Sequence, residues 1–172
     1  GPGAGNYALA STTAVTTANI TAATLTASVT AASKGYDRGT TATIASCTLT
    51  GVLSGDVVTC EGTGTATFDS AAVGTGKPVT VTGLGLSGAG AGNYALASTT
   101  AATTANITAA TVTASVTAAT KGYDQTPSAT IASCTLTGLL AGDVVTCSGT
   151  GTAAFDTASV GTGKTVTVSG LA

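Results

Sequence analysis

The sequence predicts an all-β fold: a tandem array of small β-sandwich modules (Ig-like, with a β-grasp-like sheet as the alternative), one disulfide per repeat. Three observations predict it. First, the chain repeats itself without insertion: Asn6 recurs as Asn93, Lys34 as Lys121, Cys47 as Cys134 and Lys77 as Lys164, all at one spacing (121 − 34 = 87). That period suits a small domain rather than a helical-hairpin solenoid unit. Second, Val, Ile and Leu alternate with Thr in short runs bounded by Gly, Ser, Asn and Asp, the pattern of half-buried strands. Third, each repeat carries one cysteine pair, and a unit of this size is near the lower limit for a self-sufficient core.

The strands are expected in order at "TLTASVT" (24–30), "TATIASCTLTG" (41–51), "DVVTCEGTGTATF" (56–68), "KPVTVTGLGLSG" (77–88) and "NYALAS" (93–98). Each shows period-2 alternation or a β-branched run. "FDSAAVG" (68–74) reads as one helical turn between two strands. No segment carries a 3.6-residue apolar stripe longer than one turn.

The cysteines bracket "TLTGVLSGDVVT". A hairpin folded around Leu53 and Ser54 sets Cys47 opposite Cys60, Leu49 opposite Val58 and Gly51 opposite Asp56. A Cys47–Cys60 disulfide then forms across the strands, and Cys134–Cys147 repeats it. Closing a loop of this length adds about 3 kcal/mol in the chain-entropy model. A thiol metal site needs four clustered ligands or some His, and each repeat offers two Cys and no His, so no metal is expected. A disulfide implies an oxidising compartment and therefore export.

Composition narrows the function. Charged residues make up 7% of the chain, the net charge is −2, and His, Met and Trp are absent. Without a basic run, nucleic acid is not an expected partner. No apolar run reaches the roughly 20 residues needed to span a membrane as a helix. Gly1-Pro2 replaces the Gly88-Ala89 of the later copy and reads as a protease-cleavage scar on an excised fragment.

Catalysis has little to work with. There is no imidazole, and no GxSxG elbow or evident base sits beside any Ser or Thr. Asp37, Asp56 and Asp69 recur as Asp124, Asp143 and Asp156, whereas Glu61 does not recur. Such duplication reads as architecture, and Asp56 and Asp143 read as turn residues. The expectation is no enzyme and no cofactor. Two alternatives stay open. Lys34, Lys77, Lys121 and Lys164, with Asn93, Asn106, Asp69 and Asp156, are candidates for autocatalytic isopeptide bonds. Thr-x-Thr spacing is also the pattern of ice-binding sheets, although here it is scattered.

At "KGYDRGTTATI" (34–44), "GTGTATFDSAAVGTGKPVTVTGLGLSGAGAGNYALAS" (62–98) and "TTANITAATVTASVT" (103–117) the chain resembles the YDG-type repeats of large bacterial surface proteins, which belong with filamentous-haemagglutinin-like adhesins. The resemblance covers almost the whole chain. It departs in one place: Arg38 and Gln125 stand where the family has glycine after Tyr-Asp, so a differently built turn is expected. The cysteine pair is an added staple rather than a family mark.

The resemblance implies an extracellular location, at a bacterial cell surface or secreted. It implies a non-catalytic stalk or spacer of an adhesin or fibre, with neighbouring repeats as partners. Lys34, Tyr36, Asp37, Lys121, Tyr123 and Asp124 would be scaffold residues. Surface glycans stacking on Tyr36 and Tyr123 are the alternative ligand.

The resemblance also suggests a frame. Residues 3–21 would be the final strand of a preceding repeat, 22–108 a complete repeat, and 109–172 a second repeat lacking its final strand. The rival frame is 3–87 and 88–172. In the first frame "GAGAGNYALASTTA" (88–101) closes a hairpin with "VTVTGLGLSG". Its early copy, carrying Asn6, Tyr7 and Leu9, is then a spare strand. It would be donated to the edge at Val166–Leu171, head-to-tail between copies or within one chain.

Overall fold

The computed structural model of the chain describes residues 1–61, 64–147 and 151–171. Residues 23–108 supply β1 (Ala23–Ala31), β2 (Lys34–Gly35), β3 (Thr41–Ala42), β4 (Ile44–Thr50), β5 (Thr59–Glu61), β6 (Thr65–Phe68), β7 (Gly74–Thr82), β8 (Gly85–Ser87), β9 (Tyr94–Leu96) and β10 (Thr100–Thr108). Later residues supply β11 (Thr113–Ala118), β12 (Ile131–Thr137), β13 (Thr152–Phe155) and β14 (Val166–Ser169). The fold is all-β, with one disulfide in each repeat.

Alternation of Leu25, Ala27 and Val29 with Thr24, Thr26 and Ser28 turns one face of β1 inward. β1 is the centre of a three-stranded sheet, antiparallel to β4 and parallel to β9. A second sheet runs β2-β10-β7-β6-β3. Here β7 lies between antiparallel β10 and β6, and β2 runs parallel to β10. The sheets meet where Val29 packs against Ala66, Phe68, Val79, Val81, Ala105 and Ile107, with Leu84 beside them. β5 and β8 form a separate two-stranded ribbon.

The later residues copy only part of this. β11 pairs with β12 as β1 pairs with β4, with Val116 opposite Cys134 as Val29 is opposite Cys47. β13 pairs with β14 as β6 pairs with β7. Among the described residues the second repeat has no counterpart of β9 or β10. Its core is correspondingly open. Val79 and Val81 are 1% and 0% exposed, whereas their equivalents Val166 and Val168 are half-buried. Every buried hydrophobic residue found lies between Leu25 and Ile107. At the other end, a 3₁₀ turn at Ala4–Asn6 leads into residues 7–22, which form no strand. Tyr7, Leu9, Val15 and Ile20 stand exposed there.

Several expected pairings differ. The cysteines do join, with Cα atoms 5.8 Å apart, but not across a hairpin. Cys47 lies on β4 and Cys60 on β5, and these strands pair with β1 and β8 respectively. Gly51 and Gly55 both have positive φ (105° and 96°), so the chain turns twice and the two arms do not run back along each other. The disulfide therefore staples two different sheets.

The run 41–51 is two strands. β3 joins the five-stranded sheet and β4 the three-stranded one, so the chain crosses the sandwich at Thr43. The run 56–68 becomes β5 and β6, and its residues 62–63 lie outside the described residues. Phe68 ends β6 and Gly74 begins β7, and residues 69–73 between them bend without a helical turn; the Asp69 amide donates to the Pro78 carbonyl (3.1 Å) as part of this connection. "GNYALAS" does not close a hairpin with "VTVTGLGLSG". Gly83 (φ 75°) ends β7, Leu84 turns into the core, β8 leaves for β5, and β9 runs beside β1. The strand that does pair with β7 is β10.

Candidate functional site

The Lys-x-Tyr-Asp motif builds a turn. Lys34 Nζ lies 2.8 Å from Asp37 Oδ1 and donates to the Gly39 carbonyl at 2.8 Å. Asp37 Oδ1 also accepts the Gly39 amide (2.9 Å). The same Lys34 ammonium sits 5.6 Å from the centre of the Phe68 ring. Lys121 and Asp124 repeat the pair at 2.8 Å, with Thr126 supplying the amide and Phe155 the ring at 5.8 Å. The lysine bond holds the Asp37 carboxyl below its ordinary range, and it brings Asp124 to about 2.

Arg38 and Gln125 are both left-handed (φ 68° and 66°), a conformation that glycine adopts more easily. The ion pair and the amide bonds of each turn hold a side-chain-bearing residue in it.

The other two lysines are also paired. Lys77 lies 2.8 Å from Asp69, and Lys164 lies 2.7 Å from Asp156. Both carboxyls are held low, first by the lysine bond, and both stay about half exposed. Asn106 accepts the Gly76 amide (2.8 Å), and Asn93 ends a 3₁₀ turn.

Tyr94 locks β9 to the turn before β5. Its hydroxyl donates to Asp56 Oδ2 (2.5 Å) and accepts the Leu53 amide (3.1 Å). The hydrogen bond that the phenol donates to Asp56 raises the Tyr94 pKa, because it stabilises the protonated form, and the carboxylate charge adds to it. The turn recurs at Asp143, whose amide donates to Leu140 as that of Asp56 does to Leu53. Asp143 is met from the first repeat. Arg38 Nε lies 3.2 Å from Oδ1, the Tyr36 hydroxyl lies 3.5 Å from it, and the Arg38 guanidinium donates to the Ala141 carbonyl. These contacts join the two repeats.

The second repeat also holds a cavity of about 660 Å³, lined among others by Lys121, Tyr123, Phe155, Val160 and Val166. In the first repeat the corresponding space is filled by β10. Ile107, 1% exposed, packs in the cluster with Phe68 and Val79, and the Thr108 carbonyl accepts the Tyr36 amide (2.8 Å). Tyr123, without such a strand beside it, is 65% exposed.

Residues 17–102 and 103–172 each match the YDG domain. The chain belongs to the YDG domain family. Among curated proteins and among solved structures nothing matches it.

In these YDG repeats the structure brings Lys34 together with Asp37, and Lys121 with Asp124. Tyr36 reaches Asp143 of the next repeat, while Tyr123 points to solvent. Among the described residues, Asn6, Tyr7 and Leu9 belong to no strand, and Tyr7 and Leu9 are exposed. Sequence reasoning missed β10 and the Tyr94–Asp56 lock. The signal for β10 was present in "TTANIT", where Ala105 and Ile107 alternate with polar neighbours.

Proposed function

We propose that this YDG chain is a non-catalytic structural segment of an exported bacterial surface adhesin or fibre, acting as a stalk or spacer. The carrying observation is the tie between repeats, in which Arg38 and Tyr36 of one meet Asp143 of the next. Such a tie limits bending between units, which is what a spacer needs. Two further features support the reading. All four lysines are engaged in ion pairs within their own repeats, and each repeat carries a disulfide, which in the first repeat staples two sheets. Disulfides persist outside the reducing cytosol, in keeping with export. The strand pairings favour a frame of 22–108 for the complete repeat, since β9 and β10 pair back onto β1 and β7.

Small-angle scattering of the full chain tests this. The expected result is an extended pair of repeats that becomes more broadly distributed in length when Arg38→Ala removes the tie. No change in that distribution would count against a spacer held by this contact. Glycan binding is the second reading, favoured by exposed Tyr123 at the cavity. Saturable glycan binding lost in Tyr123→Ala would replace the spacer reading.

A further inference from the structure

We infer that the turn Leu140–Asp143 of the second repeat is a guanidinium socket, and that the residue after Tyr-Asp in the first repeat, Arg38, is the fork that fills it. This rests on the spacer reading's tie between repeats and deepens it by naming the partner that the tie selects: a YDG repeat whose Tyr-Asp is followed by arginine.

Arg38 is not needed by its own turn. Its backbone is left-handed (φ 68°), which costs strain in any residue with a Cβ. Gln125 takes the same conformation (φ 66°) beside the same Lys-Asp pair, so the turn folds without an arginine. What the turn supplies is position. Asp37 Oδ1 is held by Lys34 Nζ and by the Gly39 amide, and Arg38 is the residue those bonds span. Arg38 is also the chain's single arginine. The four lysines pair within their own repeats, and among the described residues the Arg38 ion pair is the one that crosses between repeats.

The socket is shaped for a flat cation with donors on two sides. The Asp143 amide donates to the Leu140 carbonyl (3.0 Å), and Gly142 lies at φ 93° within that turn. Asp143 Oδ1 lies 3.2 Å from Arg38 Nε, and the Ala141 carbonyl accepts from Nη1. The residue between these two acceptors is Gly142, and its bare Cα lets the guanidinium come down onto the turn. A Cβ on Gly142 would lie 2.5 Å from Nη1 and 3.2 Å from both Cζ and Nη2. The Tyr36 hydroxyl flanks the pair, 3.5 Å from the same Asp143 oxygen.

This arrangement discriminates by shape as well as by charge. A guanidinium carries its N–H groups in a rigid plane, so Nε and Nη1 reach a carboxylate and a carbonyl together. A lysine ammonium is a compact point charge on a flexible stem and lacks that fixed fork. A glutamine amide can donate to a carbonyl but brings no charge to Asp143. The first repeat holds an internal control for the glycine. Its turn has the same Asp56-to-Leu53 bond (3.2 Å) and the same left-handed glycine, Gly55 at φ 96°. A Cβ on Gly55 would meet nothing within 4 Å. Alanine at either glycine therefore strains the backbone alike, and only alanine at 142 also obstructs the fork.

Residual dipolar couplings of the full chain, fitted separately for each repeat, test the inference, because docked repeats share one alignment. The expected result is one alignment in the parent. Arg38→Lys and Arg38→Gln should each lower the docked-to-undocked ratio about 10- to 100-fold, the loss of a hydrogen-bonded charged contact, so that the two alignments diverge. Couplings within the first repeat should stay unchanged in Arg38→Gln, since Gln125 already folds that turn. Gly142→Ala should diverge as well, whereas Gly55→Ala should keep one alignment. Arg38→Lys docked as well as the parent overturns the fork, while the spacer reading, which needs only a tie, stands. Gly142→Ala indistinguishable from Gly55→Ala overturns the socket's close approach. Two independent alignments in the parent overturn the inference and the tie together.

Discussion

Ile107 and Ile20 are the same residue in two copies of one phrase, and the structure assigns them opposite energetics. Ile107 is 1% exposed in the cluster with Phe68, Val79 and Val81, whereas Ile20 is fully exposed. Truncating a buried isoleucine to alanine costs the lost transfer energy plus the cavity left behind, about 3 kcal/mol in a core that cannot collapse. For a domain of this size that lowers Tm by roughly 12 to 24 °C, at 4 to 8 °C per kcal/mol. Truncating an exposed isoleucine changes stability by less than about 0.5 kcal/mol. The assay is thermal unfolding of Ile107→Ala and Ile20→Ala, followed by circular dichroism at a concentration where the chain is single. The expected record is a large fall in the first-repeat transition for Ile107→Ala and none for Ile20→Ala. Equal shifts, or a shift below about 4 °C for Ile107→Ala, would refute the assignment of β10 as the closing strand.

Other outcomes follow from the same geometry. Replacing Cys47 and Cys60 by alanine should cost about 3 kcal/mol in urea unfolding, and replacing Cys134 and Cys147 the same, since both loops span 13 residues. The second loss should unfold its repeat first, because that core is open. Asp37, Asp69, Asp124 and Asp156 all have lowered pKa values, so their contribution is complete above the unfolded value of 3.8. It is lost as pH falls through the folded values, about 2 for Asp124. The urea midpoint should therefore drop between about pH 5 and pH 2, and Lys121→Met should flatten that dependence in the second repeat. Gln125→Gly should stabilise by about 0.5 kcal/mol, the left-handed strain relieved less the entropy glycine brings. Arg38→Gly at the twin position should loosen the junction between repeats instead, because it also removes the contacts to Asp143 and Ala141.

The sequence carried the architecture in its periodicities. The 87-residue offset marked the unit, Thr-flanked alternation marked β1, β4 and β7, and the cysteine spacing marked the disulfide. What it did not carry was partner choice. "TLTGVLSGDVVT" has the alternation and turn residues of a hairpin, yet positive-φ Gly51 and Gly55 divert its arms to different partners. Alternation says which face is buried but not which strand lies alongside. β10 was overlooked for a related reason. Its inward residues Ala101, Thr103, Ala105 and Ile107 include two alanines and a threonine, so its apolar signal is weak although its pairing with β7 is the longest ladder among the described residues. The Lys34–Asp37 turn was legible as a motif, whereas the meeting of Asp56 with Tyr94 needed the parallel run of β9 beside β1.

The central claim is that the phrase ending in "TTANIT" closes a repeat, seated in its later copy and unseated in its earlier one. Residue-resolved amide exchange of the single chain measures this directly. The account predicts strong protection through Thr100–Thr108 and exchange at near-unfolded rates through Thr13–Thr21. Matching protection in the two copies of the dilute single chain would contradict it.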